Sequence, residues 1–144
     1  MTPPGPGSRP ADRVGPGLRL RATAWRLAVC RFPADAPPPA WVFHAGAEFY
    51  SVTRTPHELS VVCAEDDLPP SVDRQVERGW RAFEVVGPLP FDVTGVMSGL
   101  TTPLAAAGIP VFALSTYDTD YLLVRSADFG RASAILAGAF DITG

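Results

Sequence analysis

The chain contains no lysine: its 12 basic residues are all arginines, set against 15 carboxylates for a formal net charge of −3 over 144 residues. Without a lysine ammonium there is neither Schiff-base chemistry nor a phosphate-binding P-loop. The negative balance leaves no long-range positive field to gather nucleic acid or an anionic membrane surface. Arg19, Arg21, Arg26 and Arg31 recur along the N-terminal stretch, but no glycine-rich strand motif with stacking aromatics accompanies them, so nucleic acid is not expected as a partner. Cysteine is scarce. Cys30 and Cys63 cannot build a disulfide framework, and both are expected as thiols packed in strands. The two histidines, His44 and His57, sit in no CxxC, HExxH or GxSxG context, so neither catalysis nor a metal site is expected. No segment approaches the ~18 consecutive apolar residues of a membrane span. The first 17 residues also lack the apolar stretch of a secretory signal, so the expected location is the cytoplasm.

Residues 1–17, MTPPGPGSRPADRVGPG, are dominated by proline and glycine and are expected to be a disordered tail, having too little apolar surface to offset chain entropy. The chain as a whole is 47% hydrophobic, enough to build a core. The run at 79–138 carries the clearest pattern. Trp80, Phe83, Val85 and Val86 form a β-rich segment closed by Gly87-Pro88; a helix over 91–107, two apolar strands and a second Ala-rich segment follow, giving the order βαββα. Pro90 or Asp92 is the expected helix start and Gly108 its end, with Val93, Val96, Met97, Leu100 and Leu104 facing the sheet. Gly95 and Gly99 fall inside that helix, where each costs about 1 kcal/mol relative to alanine. Close packing against a neighbouring backbone or approach by a ligand accounts for them.

The same order is expected upstream, with a strand over 24–32, a short helix or turn at 37–45, and a hairpin over 49–54 and 59–62. An offset of 62 places Phe49-Tyr50 on Val111-Phe112 and Val61-Val62 on Leu123-Val124, which reads as an internal duplication. Asp66 and Asp67 open a weaker helix through 71–78, stopped by Gly79. The expected organisation is therefore a tail at 1–17, a degenerate first module at 18–78 and a second module at 79–144.

The segment GWRAFEVVGPLPFDVTGVMSGLTTPLAAAGIPVFALSTYDTDYLLV resembles the ACT-domain proteins, specifically the small tandem-ACT group related to the eukaryotic CASTOR arginine sensors. FYSVTRTPHELSVVC resembles the upstream hairpin of the same group, and STYDTDYLLV is the strongest signature. The resemblance implies an α+β fold: two ferredoxin-like ACT modules of βαββα type, antiparallel sheets with helices on one face, the first copy degenerate. It implies a non-catalytic regulatory or sensor protein without a cofactor, binding a small-molecule effector, an amino acid, at the interface between modules. Ser51, Val52, Gly95, Thr116, Tyr117 and Asp120 occupy the positions that touch the ligand in the group. Exposed sheet edges make a homodimer the expected assembly. A structural ACT dimer with no ligand is the alternative.

Other readings of these residues stand beside that one. Asp118-Thr119-Asp120 is turn-prone by itself, so Asp120 is either a ligand anion or a hairpin-turn residue. Ser51 and Thr116 are either ligand contacts or hydroxyls flanking a strand ladder.

Overall fold

The computed structural model describes residues 18–144; the tail expected at 1–17 lies outside the described residues. Contacts divide the chain into a first unit, Trp25–Arg81, and a second unit that joins residues 18–24 to 82–144. The second unit contains β1 (Arg19–Ala22), the end of β5 (Val76–Val85), α1 (Val96–Ala106), β6 (Val111–Ser115), β7 (Asp120–Arg125), α2 (Phe129–Leu136) and β8 (Asp141–Thr143). Its strands run in the spatial order β6-β7-β5-β1-β8. From β5 onward the chain order is βαββαβ, the ferredoxin-like sequence of elements. β8 completes the expected βαββα, and β1 lies between β5 and β8, antiparallel to the first and parallel to the second.

Period-two alternation explains how this sheet buries one face. Leu20, Phe83, Val85, Leu122 and Val124 are buried in one cluster with Val96, Leu100 and Leu104 of α1 and Ala132 and Leu136 of α2, so both helices cover the same face. The spacing within each helix is that of a single apolar stripe. Phe129, at the start of α2, stacks on Phe83 with ring centroids 4.5 Å apart.

The first unit contains β2 (Leu27–Phe32), β3 (Ser51–Arg54), β4 (Leu59–Ala64) and the start of β5, in the order β3-β4-β2-β5. Where the second unit has α1 and α2, the first has only 3-10 turns at Ala40–Val42 and Glu65–Asp67. Pro37-Pro38-Pro39 precede the former and Pro69-Pro70 follow the latter. Proline removes the N–H that a lengthening helix needs and restricts the residue before it, so each turn stays short. The copy is degenerate in this concrete sense. One apolar cluster of this unit joins Cys30, Val42, Leu59, Val61 and Cys63, and Leu27, Ala28, Val62 and Trp80 are buried besides.

Several expectations are corrected. The weak helix over 71–78 is absent, and Val76 already begins β5. Gly79, read as a helix stop, is a strand residue at φ +79°, and its N–H donates to Glu65 Oε1 at 2.6 Å. The contact boundary falls after Arg81 rather than after 78, and 18–24 groups with the second unit because β1 pairs with Phe83, Glu84 and Val85. The helix expected over 91–107 begins at Val96, leaving Val93 outside it and 40% exposed. The repeat offset is 61, not 62. Ser51 pairs with Val62 as Phe112 pairs with Leu123, and the turn Thr55 N–H to Glu58 carbonyl bond recurs from Thr116 to Thr119, both at 2.8 Å.

Leu122→Ala should lower unfolding free energy by about 2–5 kcal/mol, since Leu122 is fully buried against both helices, whereas Val93→Ala should change it by less than about 0.5 kcal/mol. Urea denaturation of both variants checks the helix boundary as well as the core.

Candidate functional site

Two backbone segments of the second unit are bonded face to face. The Leu89 N–H donates to the Asp118 carbonyl at 2.7 Å, and the buried Thr119 hydroxyl donates to the Val85 carbonyl at 2.5 Å. Gly87, which forms a cis bond with Pro88, sits directly under this turn: a Cβ there would lie 3.0 Å from the Asp118 carbonyl oxygen and 3.1 Å from Thr119 Cβ. The turn itself is closed by Thr116. Its hydroxyl donates to the Thr119 carbonyl at 3.2 Å and accepts the Thr119 N–H at 3.3 Å.

Above this junction lies a pocket of about 330 Å³, bounded by the 89–97 segment on one side and the 115–120 turn on the other. That volume is near the lower end of small-ligand sites, roughly 300–1,000 Å³. Gly95 is one of its lining residues. At φ +82° it occupies the left-handed region, where a Cβ is disfavoured, and it stands as the N-cap of α1. Its carbonyl accepts the Gly99 N–H at 2.9 Å and the Ser98 hydroxyl at 3.2 Å. No side chain caps α1, and Val96 and Met97 of its first turn line the pocket. The N–H groups of a first turn lie beyond the intrahelical ladder, and the helix dipole adds positive potential there.

The facing wall carries carboxylates. Asp120 accepts the Ser115 hydroxyl at 2.7 Å, which fixes its orientation while leaving further acceptor sites on the carboxylate. Asp118 lines the same wall. At the rim, Phe91 and Tyr117 meet edge to face with centroids 4.7 Å apart although 74% and 79% exposed.

Of the residues singled out from sequence, Gly95, Thr116, Tyr117 and Asp120 line this one pocket. Ser51 and Val52 lie on β3 of the first unit, outside this lining, paired with Val62 and Val61 in the β3–β4 ladder. The Thr116 hydroxyl is engaged within its own turn, the role of a turn-closing residue. Gly99 is buried within α1 and belongs to its packed face, so of the two glycines only Gly95 lines the pocket. Phe91, Ser115, Asp118 and Thr119 also line the pocket; the stretch from Ser115 to Tyr121 stands out in the sequence as a place to look for function, but none of these four is expected there as a ligand contact. Phe91 read as the first residue of a helix, and the other three as ordinary turn and strand polarity.

The remaining candidates lie elsewhere. Cys30 and Cys63 are both buried; the hydrogen bond with Cys30, then burial, pushes the Cys63 thiol up, so it stays protonated. His44 Nε2 contacts Asp67 at 2.8 Å, and the His57 N–H donates to Thr55 Oγ1 in the β3–β4 turn at 3.1 Å. Among the described residues no group of three or more His, Cys, Asp or Glu could hold a metal ion. Arg21 pairs with Glu84, and Arg31 donates to the His57 carbonyl at 3.0 Å. No helix among the described residues is long and apolar enough to cross a membrane.

A family model described as the ACT domain matches residues 75–138, which contain the whole pocket lining, and a second model, for an N-terminal domain, matches 26–71. Human CASTOR3P is 30% identical over 138 residues, covering 88% of this chain and 84% of that protein. The bovine cytosolic arginine sensor for mTORC1 subunit 1 is 36% identical over 104 residues, 66% of this chain but 32% of its own length, so the match spans about a third of that relative. A crystal structure of an Agrobacterium tumefaciens protein matches with a TM-score of 0.79 at 38% identity, covering 90% of this chain and 94% of that one. The regulatory subunit of aspartate kinase from Thermus thermophilus shares the fold, with a TM-score of 0.59 at 12% identity over 85% of this chain and 97% of that one.

Thr119→Val should lower stability by about 1–3 kcal/mol, because the Val85 carbonyl loses a buried donor, and Gly87→Ala should also destabilise by forcing the 116–119 turn away. Thermal denaturation of the two variants checks the junction; wild-type melting in both would show that it carries no stability.

Proposed function

The chain belongs to the CASTOR-like ACT-domain proteins, and from that premise we propose that it is a regulatory protein that binds a free amino acid, with no catalytic step of its own, in the pocket between the start of α1 and the β6–β7 turn. The observation that carries this reading is the convergence of Gly95, Tyr117 and Asp120 on one pocket whose opposite ends suit the two charges of a zwitterion. Several groups then have complementary tasks. The α1 first turn receives the ligand carboxylate on backbone N–H groups, for which Gly95 sets the angle of approach. Asp120, held by Ser115, receives the ammonium, a charge-assisted bond of the stronger kind. Ligand occupancy would bridge α1 to the β6–β7 turn, and that bridge is the physical basis for a signal, since it binds one arrangement of these elements in preference to others. The similarity to an arginine sensor supports amino-acid sensing as a class.

A thermal-shift screen against the proteinogenic amino acids tests it. A ligand at a hundred times its dissociation constant should stabilise by about 2.7 kcal/mol, a rise of roughly 5–10 °C at this size. Asp120→Asn should abolish the shift while leaving the unliganded melting temperature in place. A screen in which no amino acid moves the transition favours a purely structural ACT module. Ser51→Ala and Val52→Ala should leave affinity unchanged if the pocket alone holds the ligand; weakened binding would assign β3 a part.

Assembly is a separate expectation. Among the described residues β6 pairs only with β7, so its outer edge has backbone groups open to pairing, and a homodimer covers such edges. Light scattering at micromolar concentration should give twice the chain mass; a monomer would refute the dimer.

A further inference from the structure

We infer that the pocket selects amino acids with an uncharged apolar side chain, leucine- to phenylalanine-like in size, over arginine and other cationic ones; this rests on the amino-acid reading above. The two walls of the pocket differ in kind. Along the 89–97 segment the lining is Leu89, Pro90, Phe91, Val93, Val96 and Met97, together with Gly95, and contains no charged side chain. Both lining carboxylates, Asp118 and Asp120, lie on the opposite wall. With the ligand carboxylate at the α1 first turn and the ammonium at those aspartates, the side chain extends along the apolar segment. Asp92 of this segment lies outside the lining, so a guanidinium placed there gives up part of its water without gaining a lining anion. The aromatic rim alone would also accept a cation on a ring face. The distribution of carboxylates decides against it, since both that line the pocket lie on the wall assigned to the ammonium and none lies along the apolar segment.

The rim points the same way. Phe91 and Tyr117 hold a fixed edge-to-face arrangement while 74% and 79% exposed, and Val93 beside them is 40% exposed. Exposed apolar surface grouped at the mouth of a polar-ended pocket is surface that an apolar ligand covers. The segment that carries it owes its position to α1 starting at Val96: Leu89, Pro90, Phe91, Val93 and Gly95 precede the helix and line the cavity.

Calorimetric titration of the full chain with leucine, methionine, phenylalanine, arginine, lysine and glycine reads the selectivity directly. Leucine, methionine or phenylalanine should bind at least about tenfold more tightly than arginine, in line with the discrimination that apolar side-chain contacts provide. Phe91→Ser should weaken the apolar ligands by about tenfold while leaving the weak glycine affinity unchanged; Phe91 is exposed, so the variant should fold, and its unliganded melting temperature checks this. Arginine binding as tightly as leucine, or Phe91→Ser leaving leucine affinity intact, overturns the selectivity while amino-acid binding stands. No heat with any of the six overturns both readings together.

Discussion

The Thr119 hydroxyl, buried and donating to the Val85 carbonyl at 2.5 Å, and the Leu89 N–H, donating to the Asp118 carbonyl at 2.7 Å, tie the β6–β7 turn to the chain leaving β5. The pocket depends on this junction, because its two walls are the continuations of the two segments so joined. The end of β5 is itself anchored from below by Phe83 and Val85 in the helix-covered core. A rigid sheet thus positions one wall and a hydrogen-bonded turn positions the other, which is the arrangement a binding site needs to hold its polar groups in place without ligand. Glycine at 87 is what lets the two backbones approach so closely.

The two units show what the fold keeps when a copy loses its helices. Both retain a three-strand arrangement, β3-β4-β2 in one and β6-β7-β5 in the other, and a hairpin turn closed by a threonine, Thr55 in one and Thr116 in the other. The first unit replaces each helix by a 3-10 turn. Without an α1 it has no helix N-terminus of its own at the position where the second unit builds its pocket. The pocket's α1 side thus belongs to an element that only the second copy possesses.

The hairpins, the order βαββα of the second module and the degeneracy of the first were legible because strand alternation, proline clusters and Gly108 are local signals. The register of the repeat was not. Val61, Val62 and Cys63 are buried in succession, as are Leu122, Leu123 and Val124, so neither strand alternates where the copies must be aligned. An apolar run matches its counterpart nearly as well when shifted by one, and a shift by one exchanges the faces of the strand. β1 escaped notice for a related reason: four residues, RLRA, carry too short a pattern to be separated from the stretch that follows.

The sequence by itself determined the fold class, the internal repeat, the family resemblance and four residues of one pocket, because these rest on residue types in local order. The tertiary structure alone decided where α1 begins, since a φ of +82° at Gly95 is a backbone conformation that glycine permits and does not announce. It alone brought Phe91 against Tyr117 and separated the charged wall from the apolar one, because those relations join segments far apart in the chain. Asp120 lines the pocket and is held at the β6–β7 hairpin by Ser115, a position that neither of its sequence readings could fix alone.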